Sequence, residues 1–451
     1  MDDEQVSVIA LLGFVGMVLI VLSLMHYYIW RRAIRSTTRA GGGGRRAGTW
    51  LLVAALVFIV IALVGNAIFP LEVATPLAWI GYGWLGFAFY LFLFLLVGEL
   101  VRLGVRLVGK GRSASVVAAT AMVVPLGEAD RTNQTDLTNG SDRTNGSDRS
   151  EADRTNQTDG PDDASRGTES AEVTRRLFLS RSIALGAGVA AAGVGGYGIS
   201  RAMMAPVVRR VPVQLAGLDP RLAGFRIAVF ADAHLGTIRR KAEMEQLVDI
   251  VNGTEADLVA VLGDLIDGSV ADLGGDVAPI AGLQSTHGSF FVTGNHEYYS
   301  GAQEWVDFLP DLGVRVLRNE RLAIESNGAA FDLAGVNDLT GEDYGDSPDY
   351  EQALAGRSED RPVVLLAHQP VTVDEAVAYG VDLQLCGHTH AGQMWPFHYV
   401  VAAQQGAVSG LSRIEDTQLY VTSGVGFWGP PMRVGADPEV IVIELQPART
   451  D

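Results

Sequence analysis

The sequence has 451 residues, a length that favours two or three structural units over one. Apolar residues make up 48% of the chain, yet the formal net charge is −18, so apolar and acidic residues must be segregated along it. The acidic excess argues against nucleic acid as the main partner. The single cysteine, Cys386, excludes an intrachain disulfide and thiolate-rich metal sites, so any bound metal must have nitrogen and oxygen ligands.

Three long apolar segments predict an all-α transmembrane region within residues 1–112. They cover residues 6–30, about 50–69 and about 77–97, and each is long enough to cross a hydrocarbon core of roughly 30 Å. Acidic residues precede the first segment, and six arginines between residues 31 and 46 follow it. The positive-inside rule therefore places the N-terminus outside and the arginine-rich loop in the cytoplasm.

A polar region at residues 113–173 separates these segments from the rest of the chain. Its Asp, Thr, Asn, Ser and Gly content cannot bury enough apolar surface to offset ordering, which predicts a disordered linker. Residues 174–205 follow, with Arg175 and Arg176 before a Gly/Ala-rich apolar run. This pattern is typical of a twin-arginine export signal, although an ordinary fourth transmembrane helix has the same features. Both interpretations place the remaining chain outside the cytoplasm.

Residues 206–451 have the pattern of an α/β domain. Short β-rich runs at Arg226–Phe230, Leu258–Leu262, Phe290–Thr293, Val363–Ala367 and Leu383–Cys386 alternate with helical stretches. Each of the five runs is followed by a polar cluster, at the strand end where open α/β sheets place their binding sites.

These polar clusters contain side chains of the types that bind divalent metals or transfer protons. The residues are Asp232 and His234, Asp264 and Asp267, Asn295 and His296, His368, and His388 and His390. Five of the eight histidines in the chain lie here, whereas structural histidines would be scattered. Imidazole, carboxylate and amide groups together suit Mn, Fe or Zn, and the ligands alone do not select one of these metals.

The ordered motifs D-x-H, G-D-x-x-D, G-N-H-E, H and G-H-T-H resemble the calcineurin-like metallophosphoesterase superfamily over residues 226 to about 445. The later segments GQMWPF at 392–397 and SGVGFWGPPMR at 423–433 are similar to a membrane-associated branch with phosphodiesterase-type activity. The resemblance implies a four-layer αββα sandwich for this domain. It also implies two divalent metal ions and hydrolysis of a phosphoester.

The same resemblance implies a role for each site residue. One metal would be bound by Asp232, His234 and His390, the other by Asn295, His368 and His388, with Asp264 bridging the two. His296 would protonate the leaving group, and Asp267 would orient it. A metal-acidified water would be the nucleophile.

We therefore expect a multi-pass membrane protein with an extracytoplasmic phosphoesterase domain, acting on a phosphodiester or phosphomonoester of a lipid or envelope molecule. The alternative is a membrane sensor or scaffold that binds metal without catalysis. The apolar segment at residues 427–432 could accept an acyl chain or pack against protein, and we favour packing. The sequence does not indicate an oligomeric state.

Overall fold

In the part of the chain that the structure describes, four helices that are long and apolar enough to cross a membrane precede the α/β domain. The computed structural model of the protein describes residues 3–121 and 162–448. The helices are α1 (Asp3–Ile29), which continues into a π-helical turn at Trp30–Arg35, α2 (Gly43–Ile68), α3 (Leu71–Ala121) and α4 (Asp162–Ala202). An ion pair between Arg32 and Glu99, with an N···O distance of 2.7 Å, joins the end of α1 to α3, and Arg102 also pairs with Glu99.

Helical structure extends into both ends of the region predicted as a linker, residues 113–173. Helix α3 continues to Ala121 and α4 begins at Asp162, while residues 122–161 lie outside the described part of the chain. Alanine-rich sequence after residue 113 extends α3 because alanine has the highest helix propensity. The two aspartates that begin α4 favour a helix N-terminus because they complement the helix dipole.

In the described part of the α/β domain, twelve strands form two six-stranded sheets. In chain order they are β1 (Val207–Leu215), β2 (Arg226–Phe230), β3 (Leu258–Val261), β4 (Ser289–Phe291), β5 (Val314–Val316), β6 (Glu320–Ser326), β7 (Ala329–Gly335), β8 (Val363–Leu366), β9 (Leu383–Cys386), β10 (Gly410–Ile414), β11 (Thr417–Val421) and β12 (Glu439–Pro447). The first sheet has the order β1-β12-β2-β3-β4-β5 and the second β10-β11-β9-β8-β7-β6. Strands β2 to β5 are mutually parallel, as are β7, β8, β9 and β11.

Helices cover the outer face of each sheet. On the first sheet they are α5 (Lys241–Asn252), α6 (Val270–Val277) and α8 (Ala302–Phe308), and on the second α9 (Tyr350–Leu354) and α10 (Val373–Ala378). The other two helices in the described part of the domain are α7 (Asn295–Ser300) and α11 (His398–Gln405). The five strands predicted from sequence are present: two have the predicted bounds, and the ends of the other three differ by at most two residues.

Alternating side chains along the strands explain the layered arrangement. In β2, Ile227 and Val229 face the second sheet, while Ala228 and Phe230 face helices α5, α6 and α8. The same alternation in β8 directs Val364 towards the first sheet and its neighbours towards α9 and α10. Because both faces of each sheet are buried at its centre, the central strands β2, β3, β8 and β9 are almost continuously apolar. The result is the αββα sandwich that the sequence predicts.

Candidate metal centre

The predicted site residues lie where the carboxyl ends of strands from both sheets meet. Strands β2, β3 and β4 of the first sheet and β8 and β9 of the second each lead into one of the five polar loops. Five site residues have φ between +46° and +71°, the left-handed region that non-glycine residues seldom adopt: Asp232, His234, Asp264, His388 and His390. Backbone strain of this kind persists only where the surroundings fix it, and it is concentrated at functional sites.

The first group consists of Asp232, His234 and His390, whose ligand atoms all lie within 4.8 Å of one another. The Nε2 atoms of His234 and His390 face each other at 3.0 Å, and His390 Nε2 lies 3.9 Å from Asp232 Oδ1. Both carboxylate oxygens of Asp232 accept hydrogen bonds from the main-chain N–H of His388, at 2.9 and 3.1 Å. These bonds hold the loop after β2 against the loop after β9.

The second group consists of Asp264, His368 and His388, again with ligand atoms within 4.8 Å of one another. His368 Nε2 lies 3.2 Å from Asp264 Oδ2, and His388 Nδ1 lies 2.9 Å from the amide oxygen of Asn295. Asp264 Oδ2 is also 3.7 Å from His234 Nε2. The carboxylate of Asp264 therefore lies between the two groups and within reach of both.

A third arrangement joins His296 to Asp267. Asp267 Oδ1 lies 2.7 Å from His296 Nδ1 and 2.9 Å from His234 Nδ1, so one carboxylate orients two imidazoles. The main-chain N–H of His296 donates to Asp264 Oδ1 at 2.9 Å. The rings of Tyr299 and Trp428 flank His296, with centroid distances of 5.5 and 5.7 Å.

Burial and mutual charge shift the pKa values of these groups strongly. Burial raises the pKa of Asp232 to about 6, and burial together with His368 lowers the pKa of His388 to about 3. Burial and the neighbouring His234 hold the pKa of His390 well below its usual range. Burial opposes charge on His296, but Asp264 and Asp267 raise its pKa to about 9. The cluster therefore combines neutral imidazoles, which can act as ligands, with carboxylates that favour a positive charge beside them.

The donor set fits divalent metal ions. It consists of nitrogen and oxygen atoms that converge from five loops, and its imidazole nitrogens face one another or a carboxylate oxygen. Such sites bind Mn, Fe or Zn. Cys386 is buried in β9, and burial raises the pKa of its thiol far above its usual range, so it is not available as a thiolate ligand.

Two residues that support the site were present in the motifs but were given no role from sequence. Glu297 is fully buried, and its carboxylate accepts hydrogen bonds from the main-chain N–H groups of Asp264, Leu265 and Gly294. Arg433 is also buried, with its Nη2 atom 3.1 Å from His390 Nδ1. The signal for Arg433 was a charged residue inside an otherwise small and apolar segment, whereas Glu297 lies in the polar G-N-H-E motif and had no such signal.

The apolar segment at residues 427–432 is partly buried. Its Phe427 and Met432 side chains pack against protein, as favoured from sequence, whereas Trp428 is half exposed. His398, which is not among the predicted site residues, begins α11, and its ring is tilted against that of Tyr399 at a centroid distance of 4.0 Å.

Comparison with known proteins agrees with the family resemblance of the sequence motifs. Residues 225–392 match the family model for the calcineurin-like phosphoesterases. The chain is 36% identical over 277 residues to an uncharacterized metallophosphoesterase of Helicobacter pylori, a match that covers 61% of this chain and 73% of that relative. It is 36% identical over 298 residues to a transmembrane protein with metallophosphoesterase domain of Bos taurus, covering 63% of this chain and 66% of the relative. Among solved structures, a 5'-nucleotidase precursor from Thermus thermophilus aligns with a TM-score of 0.32 and 14% identity over 48% of this chain and 54% of the other. This protein belongs to the calcineurin-like metallophosphoesterase family.

Proposed function

We propose that the α/β domain hydrolyses phosphodiester or phosphomonoester bonds with two divalent metal ions, and that the chain is anchored in the membrane by its four apolar helices. The observation that carries the proposal is the pair of His/Asp groups that share Asp264. One ion would be held by Asp232, His234 and His390 and the other by Asn295, His368 and His388. When bound, two adjacent cations acidify a water molecule and neutralise phosphoryl oxygens, which is the chemistry this hydrolysis requires.

His296 would supply the proton for the leaving group. Its Nδ1 faces Asp267 at 2.7 Å, so the opposite ring nitrogen, Nε2, remains to hold a proton and transfer it to the leaving oxygen. Asp267 fixes the ring. Together with Asp264 it favours the charged form of His296, and the two carboxylates thereby raise the pKa of His296. The flanking rings of Tyr299 and Trp428 limit the directions from which a substrate oxygen can approach.

The orientation that fits the charge distribution places the catalytic domain outside the cytoplasm. The arginine-rich loop between α1 and α2 would be cytoplasmic, and α4 would carry the chain out, with Arg175 and Arg176 as a twin-arginine-type signal. A lipid or envelope phosphoester would then be the substrate within reach. Protease protection in sealed right-side-out vesicles tests the orientation, since cleavage of the domain only after lysis would contradict it.

Substitution at the site tests the hydrolysis. His296→Ala should lower the hydrolysis of bis-p-nitrophenyl phosphate by about 100-fold or more, the range expected for loss of acid–base catalysis. Asp264→Asn should lower it by at least as much, because it removes the carboxylate shared by the two metal-binding groups. His287→Ala is the matched control, because His287 stacks on Phe225 away from the site. Undiminished activity in both site variants would refute the mechanism. Metal bound to an unaltered protein that hydrolyses neither phosphodiesters nor phosphomonoesters would favour the sensor or scaffold.

A further inference from the structure

We propose that an apolar rim beside the metal centre inserts into the bilayer and admits lipid phosphoesters to the site directly from one leaflet. The rim consists of five side chains that are 50–67% exposed: Trp395, Phe397, Tyr399, Val400 and Trp428. Exposed aromatic side chains in this number mark an interaction surface rather than ordinary solvent-facing residues. The inference rests on the proposed phosphoesterase function and specifies its substrate class.

The rim is continuous with the membrane helices. The Tyr90 hydroxyl in α3 donates to the carbonyl oxygen of Trp395 at 3.0 Å. The side chain of Met432 packs so closely on α3 that a Cβ added at Gly86 would lie 2.8 Å from its methyl carbon. The main-chain N–H of Arg433 donates to the carbonyl oxygen of Gly198 in α4 at 2.9 Å. The loops that carry the rim are therefore held against two membrane helices.

The position of these contacts along α3 places the rim at the depth of the bilayer. Glu99, paired with Arg32 and Arg102, marks the polar end of the span. Gly86 lies about 20 Å from Glu99 along the helix, at about 1.5 Å per residue. Because the hydrocarbon core is about 30 Å thick, the contact of Gly86 with Met432 falls about 10 Å inside the opposite boundary. This is the leaflet at the Leu71 end of α3.

The composition and hydrogen bonding of the rim loops suit that depth. Residues 392–400 and 425–432 contain no Asp, Glu, Lys or Arg. Irregular backbone at membrane depth must have its polar groups satisfied within the protein. The main-chain N–H of Trp395 donates to Val434, that of Val434 to Gln393, and that of Trp428 to the Gln393 side chain, at 2.8–3.1 Å. Trp and Tyr side chains are the ones that settle at membrane interfaces.

The rim also lies beside the metal centre. The Trp428 ring lies 5.7 Å from the His296 ring between centroids, and the Gln393 side chain ties the Trp428 main chain to the loop that follows His390. A lipid whose acyl chains lie against the rim would present its phosphate near the boundary between headgroups and acyl chains, beside His296. Lipid phosphoesters would thus enter sideways, without leaving the membrane.

Insertion can be measured without any activity. In the full-length protein, Tyr399→Cys provides one accessible thiol for a fluorescent label, because the native Cys386 is buried. In phosphatidylcholine nanodiscs that contain spin-labelled lipid, the label at position 399 should be quenched strongly. A label at Leu411→Cys, which replaces another exposed apolar side chain on β10, should not be quenched. Equal quenching at both positions, or a label at 399 shielded by a second copy of the chain instead of lipid, would overturn the proposal.

A second experiment compares the hydrolysis of a lipid substrate with that of a soluble one. The double variant Phe397→Ser and Val400→Ser should lower hydrolysis of vesicle-embedded phospholipid-type phosphoesters by about tenfold or more, the equivalent of removing two apolar side chains from the bilayer. Hydrolysis of soluble bis-p-nitrophenyl phosphate should stay within about twofold, as for ordinary surface substitutions. An equal loss of hydrolysis on both substrates, or no loss on the lipid substrate, refutes the proposed role of the rim. Failure of the unaltered protein on the soluble phosphodiester refutes the phosphoesterase function itself.

Discussion

Replacing Glu297 with glutamine should destabilise the catalytic domain although the two side chains have nearly the same shape. The carboxylate is fully buried behind the metal centre. Its Oε2 accepts from the main-chain N–H groups of Asp264 and Gly294, at 2.9 and 2.6 Å, and its Oε1 accepts from that of Leu265 at 2.8 Å. These bonds join the loop after β3, which carries Asp264, to the loop after β4, which carries the Asn295 and His296 pair.

The cost follows from the hydrogen bonds that glutamine cannot make. Whichever way its amide is turned, the NH₂ group faces at least one main-chain N–H, so at least one buried donor loses its partner, at about 1–3 kcal/mol. The remaining bonds lose their charge assistance, which roughly halves their strength. Burial raises the pKa of Glu297 to about 7, so removing a buried charge offsets part of this loss. We expect a net destabilisation of about 2–4 kcal/mol.

The assay is thermal unfolding of the full-length protein, followed by tryptophan fluorescence. For a domain of this size, the expected loss corresponds to an apparent Tm lower by about 4–16 °C. Glu304→Gln, the same change at an exposed position in the first turn of α8, is the control and should change the stability by less than about 0.5 kcal/mol. If the two variants unfold at the same temperature, Glu297 does not hold the two loops together.

Three further predictions concern the metals and the packing around them. Dialysis against a chelator should abolish hydrolysis and lower the apparent Tm, and added Mn²⁺ should restore both. A ligand at 100 times its Kd stabilises the folded protein by about 2.7 kcal/mol, which sets the size of the Tm change. Activity that survives complete metal removal would contradict the proposed metal site. Gly294→Ala should lower the Tm and the metal content measured by elemental analysis, because its Cβ would lie 2.6 Å from the main-chain nitrogen of Asp264. Arg433→Lys should cost about 1–3 kcal/mol in thermal unfolding, because one ammonium cannot reach the buried carbonyl groups that the guanidinium contacts. Arg413→Lys at an exposed position is its control, and equal Tm values for the two variants would contradict that role.

The positions of the candidate ligands could be predicted because one simple rule governs them. Parallel strands end at a common edge, so polar residues after β2, β3 and β4 must lie near one another. The sequence could not indicate the left-handed backbone at Asp232 and Asp264, since neither residue is the glycine that usually marks it. Glu297 was missed for a related reason. Its partners are main-chain N–H groups, which every residue except proline possesses and which leave no trace in side-chain patterns.

In the membrane region, the sequence shows which segments can cross the bilayer but not which side chains face lipid. This limit also applies to the rim. Hydropathy identifies α3 as a span, but lipid tails and protein interiors are similarly apolar, so hydropathy cannot tell which side chains face lipid. Trp84 and Tyr90 lie in the third apolar segment, yet neither faces lipid freely: Trp84 donates to His26 in α1 at 3.0 Å, and Tyr90 is buried against the catalytic domain. Exposed aromatic side chains come from the catalytic domain as well as from the membrane helices, with Trp395 and Trp428 in the first and Tyr27, Trp50 and Tyr197 in the second. With the proposed insertion of the rim, both regions build the surface that meets the bilayer, and that surface becomes visible only when the contacts between them are known.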